Sequence, residues 1–98
     1  NLAVAVEKYG LGKRIYDLEK VMPGDFIDFS RDNNTGHTVV FLGWKREENK
    51  IVGLKYWSSQ GSTNGIAYKT EYFNVQRNDG TKYGNMIIDN LYIARINP

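Results

Sequence analysis

The chain has no cysteine. That excludes a disulfide framework, a thiolate metal site and, within these residues, a cysteine nucleophile. It has a single histidine, which argues against a zinc site, because zinc is held by clusters of His, Cys and carboxylate ligands. Charge of one sign is also scarce: the formal net charge is +2. Lys and Arg are scattered along the chain and form no basic stripe, so no nucleic-acid footprint is expected, and a small β barrel that binds nucleic acid finds no support. No apolar run approaches the length of a membrane span, and no signal-peptide pattern is visible. Internal repeats and a domain boundary are lacking as well. Nothing in the composition calls for a cofactor.

What is present is ordinary globular material. A length of 98 residues points to one domain, residues 1–98. A hydrophobic share of 41% with 24% charged residues argues against disorder. Seven Tyr, four Phe and two Trp are many aromatics for this length. They suit a β-rich fold or a groove for extended ligands.

The elements follow from local pattern. Residues 2–9 read as a short helix, with Asn1 as cap, Leu2, Val6 and Tyr9 at helical spacing, and Gly10 as the stop. Residues 11–16 form a connector with some strand character, and residues 17–20 a turn. Pro23-Gly24 is a turn dipeptide. The strand at 26–30 follows it, with Ile27 and Phe29 on one face. Asp25 and Asp28 read as a turn residue and a solvated strand face. A second strand covers 38–44, a charged tip 45–50, and a third strand 51–58, on which Leu54, Tyr56 and Ser58 share a face opposite Lys55 and Trp57. Short links make these strands an antiparallel meander. Residues 58–65 are a polar, glycine-rich loop between ordered pieces, the kind of position where function concentrates. Strands at 66–73 and 91–96 complete the set, with a turn at Asn78-Asp79-Gly80. The expected class is α+β: one short N-terminal helix on an antiparallel sheet of about five strands, as a meander or an open barrel. With only one short helix to pack on the sheet, an apolar face of the sheet is expected to remain uncovered, for a second segment or chain to cover.

The chemistry centres on Gly36-His37-Thr38-Val39-Val40-Phe41-Leu42-Gly43-Trp44. A run of turn formers, residues 32–36, delivers His37 to the mouth of an apolar strand. There the strand fixes the direction of the imidazole while the loop exposes it. A polar loop residue that happens to be histidine is the alternative.

The order Pro23-Gly24-Asp25-Phe26, then the His37 strand, then Tyr56-Trp57-Ser58-Ser59-Gln60, resembles the second half of a papain-like cell-wall hydrolase domain of the NlpC type. The likeness spans residues 21–60 and is weaker beyond. It implies a papain-like fold, of which this chain would be the β-rich, His-bearing C-terminal half. It implies a bacterial amidase or peptidase acting on peptidoglycan peptides and located outside the cell or in the periplasm. Under that likeness His37 matches the general base, and a third, orienting residue falls within residues 58–60. Parity puts Ser58 and Gln60 on one side and Ser59 on the other. A Ser hydroxyl or Gln carbonyl can accept a bond from the imidazole and fix its tautomer. Taken singly, each of these polar residues also serves simply to satisfy a tight loop. The family's nucleophile is a thiolate on an upstream helix, and this chain contains no cysteine. The expectation is that a preceding segment or a second chain supplies it. The alternative is a non-catalytic module of the same fold that binds peptide, glycan or protein.

Overall fold

The computed structural model describes residues 1–60 and 65–98, and for residues 59, 60 and 65–67 it describes the backbone alone. Helix α1 is Leu2–Lys8, and the strands are β1 Gly12–Arg14, β2 Phe26–Ser30, β3 Gly36–Glu47, β4 Lys50–Gln60, β5 Gly65–Tyr72 and β6 Tyr92–Ile96. They form a single open sheet in the order β1-β6-β2-β3-β4-β5, with every described pairing antiparallel. The expected α+β class holds, with six strands rather than about five. The meander β2-β3-β4-β5 is its backbone. The sixth strand is the short connector at Gly12–Arg14, which pairs with β6 from Gly12↔Ile96 to Arg14↔Ala94.

Strand alternation decides the two faces. Ile27, Phe29, Val39, Phe41, Leu54, Tyr56 and Ile93 point to one side and are buried there. That face is not left bare. Residues 73–91 fold back over it, inserting Phe73 and Met86 at full burial with Val75, Ile88 and Leu91 beside them, while Leu18 and Val21 close the other end. Phe73 is the pivot: its amide donates to Val52 O at 2.9 Å, and its carbonyl accepts from Gly84 N at 2.9 Å. Trp44 lies against both Phe41 and Phe73, with ring centroids 4.8 and 6.1 Å away, and its indole N–H donates to Leu18 O at 2.9 Å.

Helix α1 sits on the opposite face. Asn1 caps it by accepting from Val4 N, and Gly10 ends it at φ +70°. The buried stripe is Ala3 and Val6, packed on Ala94 of β6. Leu2 and Tyr9, expected on the packed side, are exposed at 41% and 68%. The reason is the close approach of helix and sheet at Gly12. A β-carbon there would lie 2.8 Å from Val6 Cγ1 and 1.9 Å from Arg95 O, so small residues, not large ones, make this contact. The helix packs on β1, β6 and β2. Over the rest of that face a cross-strand row runs Phe26↔Val40↔Trp57↔Tyr68. The first three are half-buried, and Tyr68 is 76% exposed. The expected uncovered apolar face is therefore partial, and it lies on the helix side of β3, β4 and β5.

Asp25 closes the expected turn, its amide donating to Met22 O at 3.0 Å, and it is also a buried anchor, 3% exposed. Its carboxylate accepts from Met22 N at 2.8 Å and takes two bonds from Arg95, at 2.8 and 2.9 Å. This bidentate pair ties the entry of β2 to β6. Asp28 is likewise engaged: Oδ2 accepts from Ala3 N at 3.0 Å and Oδ1 from the Thr38 hydroxyl. No described helix is long and apolar enough to cross a membrane.

Candidate functional site

The turn that carries His37 is built from local hydrogen bonds. Arg31 N donates to Thr35 O at 2.7 Å, and Asn34 N donates to Arg31 O at 3.1 Å. Asn33 Oδ1 accepts from both the amide and the hydroxyl of Thr35, at 3.1 and 2.6 Å. Asn34 takes the left-handed conformation at φ 67°, which Asn tolerates better than most residues. A β-carbon at Gly36 would lie 2.7 Å from Phe29 O, so only glycine lets the strands close at this point. His37 then pairs with Phe29 across β2 and β3.

The imidazole is exposed, and its ring meets that of Phe29 edge-on, with centroids 6.4 Å apart and planes at 85°. Phe29 is buried and rests on Tyr56 at 5.8 Å, while the Arg31 guanidinium lies 4.9 Å above its ring. The wall behind the imidazole is thus a packed aromatic ring on a rigid strand. Around it lies an open cleft of about 390 Å³, lined by Asn1, Asp28, Phe29, Ser30, His37 and Asn90 among others. Asn90 Nδ2 donates to Ser30 Oγ at 2.7 Å, which fixes one rim. Asn1 contributes from the cap of α1, so the start of the helix and the histidine share this cleft.

The other sequence-named residues fall as follows. Ser58 is buried on the core face, in step with Tyr56 and Leu54. Phe41 pairs with Tyr56, so up to the register shift after Phe41 the odd positions of β3 face the same side as the even positions of β4, and His37 and Ser58 share that side by strand parity. The backbone of Gln60 pairs with Gly65 at the end of β4. The side chains of Ser59 and Gln60 lie outside the described residues, as does the centre of the polar loop, residues 61–64. Among the described residues no group of three or more His, Cys, Asp or Glu is placed to hold a metal ion.

Behind the cleft lies a polar network that the sequence reading missed. Glu71 of β5 accepts from Arg31 Nη2 at 2.8 Å and from its Nε, and from the Tyr56 hydroxyl at 2.9 Å. Arg31 also donates to Thr35 Oγ1 at 3.2 Å, so the network reaches the turn that presents His37. Burial pushes the Glu71 carboxyl up, but the Arg31 and Tyr56 bonds outweigh it and hold the carboxyl below its ordinary value. Burial, then the bond to Glu71, pushes the Tyr56 phenol up to about 12. The clue in the sequence was parity: Tyr56 and Glu71 both belong to core faces, and a buried phenol demands an acceptor.

This network predicts a pH profile with two edges. Glu71 has a lowered folded pKa, so its stabilisation is present above the ordinary value of 4.5 and is lost as pH falls through the folded value. Tyr56 has a raised folded pKa, so its contribution is intact below the ordinary value of 10.0 and is lost as pH rises through about 12. Phenolate absorbance should show one tyrosine titrating near 12 that vanishes in Tyr56→Phe. Urea midpoints for Glu71→Gln should vary less with acid than those of the unaltered protein. A Tyr56→Phe titration that matched the parent would remove the network as described.

Comparison with family models, with curated proteins and with solved structures gave no match.

Proposed function

We propose that this chain is the His-bearing, β-rich part of a papain-like bacterial cysteine amidase or peptidase that acts on amide bonds of peptidoglycan peptides. His37 is the general base. It takes the proton of a thiol supplied by a segment or chain outside this sequence and later protonates the leaving amine. Ser58 and Gln60 are the candidates to orient the imidazole. The reaction needs no metal or organic cofactor, and the substrate places the protein outside the cell or in the periplasm. The observation that supports the reading is the exposed imidazole at the mouth of β3, backed by the packed ring of Phe29 and bordering an open cleft.

The test uses the complete gene product on purified peptidoglycan, with peptide release read by mass spectrometry before and after thiol alkylation. The expected result is release that alkylation abolishes. Release that survives alkylation would overturn the thiol mechanism.

A second reading is a binding module, favoured by the row Phe26–Val40–Trp57–Tyr68 on the partly uncovered face. Such a row offers flat apolar surface to a peptide, glycan or protein. It predicts retention of the chain on peptidoglycan with no release of peptide, even when a thiol is known to be present.

A further inference from the structure

We infer that Glu71 is a positioning residue for His37: it holds the Arg31 guanidinium, and Arg31 fixes both the ring behind the imidazole and the turn before it. The inference rests on the reading of His37 as the general base. Register puts every part on one face of the sheet. Phe29 pairs with His37, Phe41 with Tyr56 and Leu54 with Glu71, so these side chains all project to the core side. Arg31 follows directly on β2 and lays its side chain back over that face, with Cζ 4.9 Å from the Phe29 ring centroid. Glu71 reaches it from β5, three strands along the sheet. The two carboxylate oxygens take separate bonds, one from Arg31 Nε and one from Nη2 at 2.8 Å. A fork held at both prongs fixes the plane of the guanidinium, which a single contact does not.

That plane serves two ends. Its flat face lies on Phe29, and the edge of the Phe29 ring is what the imidazole meets, at 6.4 Å and 85°. Its remaining nitrogen, Nη1, donates to Thr35 Oγ1 at 3.2 Å, in the turn that leads into His37. The backbone of the same turn is tied down independently. Arg31 N donates to Thr35 O at 2.7 Å, and Asp32 N donates to Asn85 O at 2.9 Å. Asp32 adds an ion pair with Lys82 at 2.9 Å. The Arg31 side chain is therefore the link between a fixed turn and the ring that backs His37, and Glu71 sets where that side chain lies. Proton transfer depends on such placement, because an error of about 1 Å at a reacting group can cost about a hundredfold in rate.

Glu71→Gln in the complete gene product tests the inference. It keeps the size of the side chain and removes the charged fork. The kcat for peptide release should fall by about tenfold to a hundredfold, with KM within about twofold of the parent. In nuclear magnetic resonance spectra, the Overhauser contact between the His37 and Phe29 rings should weaken several-fold. A residue that serves stability alone would lower the urea midpoint and leave both readouts of the folded protein unchanged. Thr35→Val, at an exposed position, replaces only the hydroxyl that Arg31 and Asn33 share. It should lower kcat by about threefold, and it keeps the test open if Glu71→Gln fails to fold. Parent-like kcat and ring contact in the folded variants would overturn the inference. Absence of release from the parent protein would count against the general-base reading instead. The ring contact then decides the role of Glu71: weakening in Glu71→Gln supports it, and an unchanged contact removes it.

Discussion

Phe73→Ala is expected to cost about 3–5 kcal/mol of folding free energy, the usual range for truncating a fully buried phenylalanine. Few single changes in this chain should cost more. Phe73 is 0% exposed and touches the core from above, where residues 73–91 fold back over the sheet. Its ring meets Trp44, and its backbone bonds to Val52 and Gly84 fix where the chain turns back. Truncation therefore opens a cavity under a cover that has few other deep anchors, chiefly Met86. A domain of this kind has about 5–15 kcal/mol in total, so the variant should sit near its folding threshold. Urea denaturation followed by tryptophan fluorescence measures the loss, because Trp44 reports on the same cluster. A loss below about 1 kcal/mol would mean that residues 73–91 do not seat on the sheet as described.

The same cover explains what could and could not be read from the sequence. Alternation located the core face of β2, β3 and β4, because Ile27, Phe29, Val39, Phe41, Leu54 and Tyr56 are all buried where period-two spacing puts them. It could not reveal that residues 73–91 cover that face. Phe73, Met86 and Leu91 reach the core one at a time, from turns and isolated bridges rather than from a periodic element. Nor could it show β1, three residues long and defined only by pairing with β6 at the other end of the chain. The register shift between Phe41 and Gly43 leaves Leu42 exposed inside a run that reads as buried strand. A bulge of this sort has no sequence signature beyond the nearby glycine.

The polar residues divide in the same way. The exposure of His37 was legible, since the turn formers before it and the apolar strand after it specify a strand mouth. The burial of Asp25 was not, because its partner Arg95 lies at the far end of the chain. The Arg31–Glu71–Tyr56 network joins β5 to the turn before β3 and likewise depends on tertiary pairing. Local propensity reports on neighbours in sequence. Buried charge reports on neighbours in space, and each such pair here is made by strands or turns that the sheet brings together only after folding.

His37→Ala, made in the complete protein, is expected to abolish peptidoglycan peptide release while leaving the fold nearly intact. The imidazole is exposed, and its described packing is one edge contact with Phe29, so its loss removes little buried surface. The catalytic effect should be of a different order. Without a base the thiol stays largely protonated, and loss of a paired base lowers kcat by roughly a hundredfold to ten-thousandfold. Removing a ligand contact from a binding module would instead weaken affinity modestly, with no hydrolysis in either protein. Three measurements on the parent and the variant separate these outcomes: peptide release by mass spectrometry, retention on insoluble peptidoglycan, and circular dichroism for folding. Lost release with unchanged retention and an unchanged spectrum places His37 in the chemistry. Equal release from both proteins would take His37 out of the mechanism. No release from either, with a thiol known to be present, would leave the aromatic row on the opposite face as the functional surface.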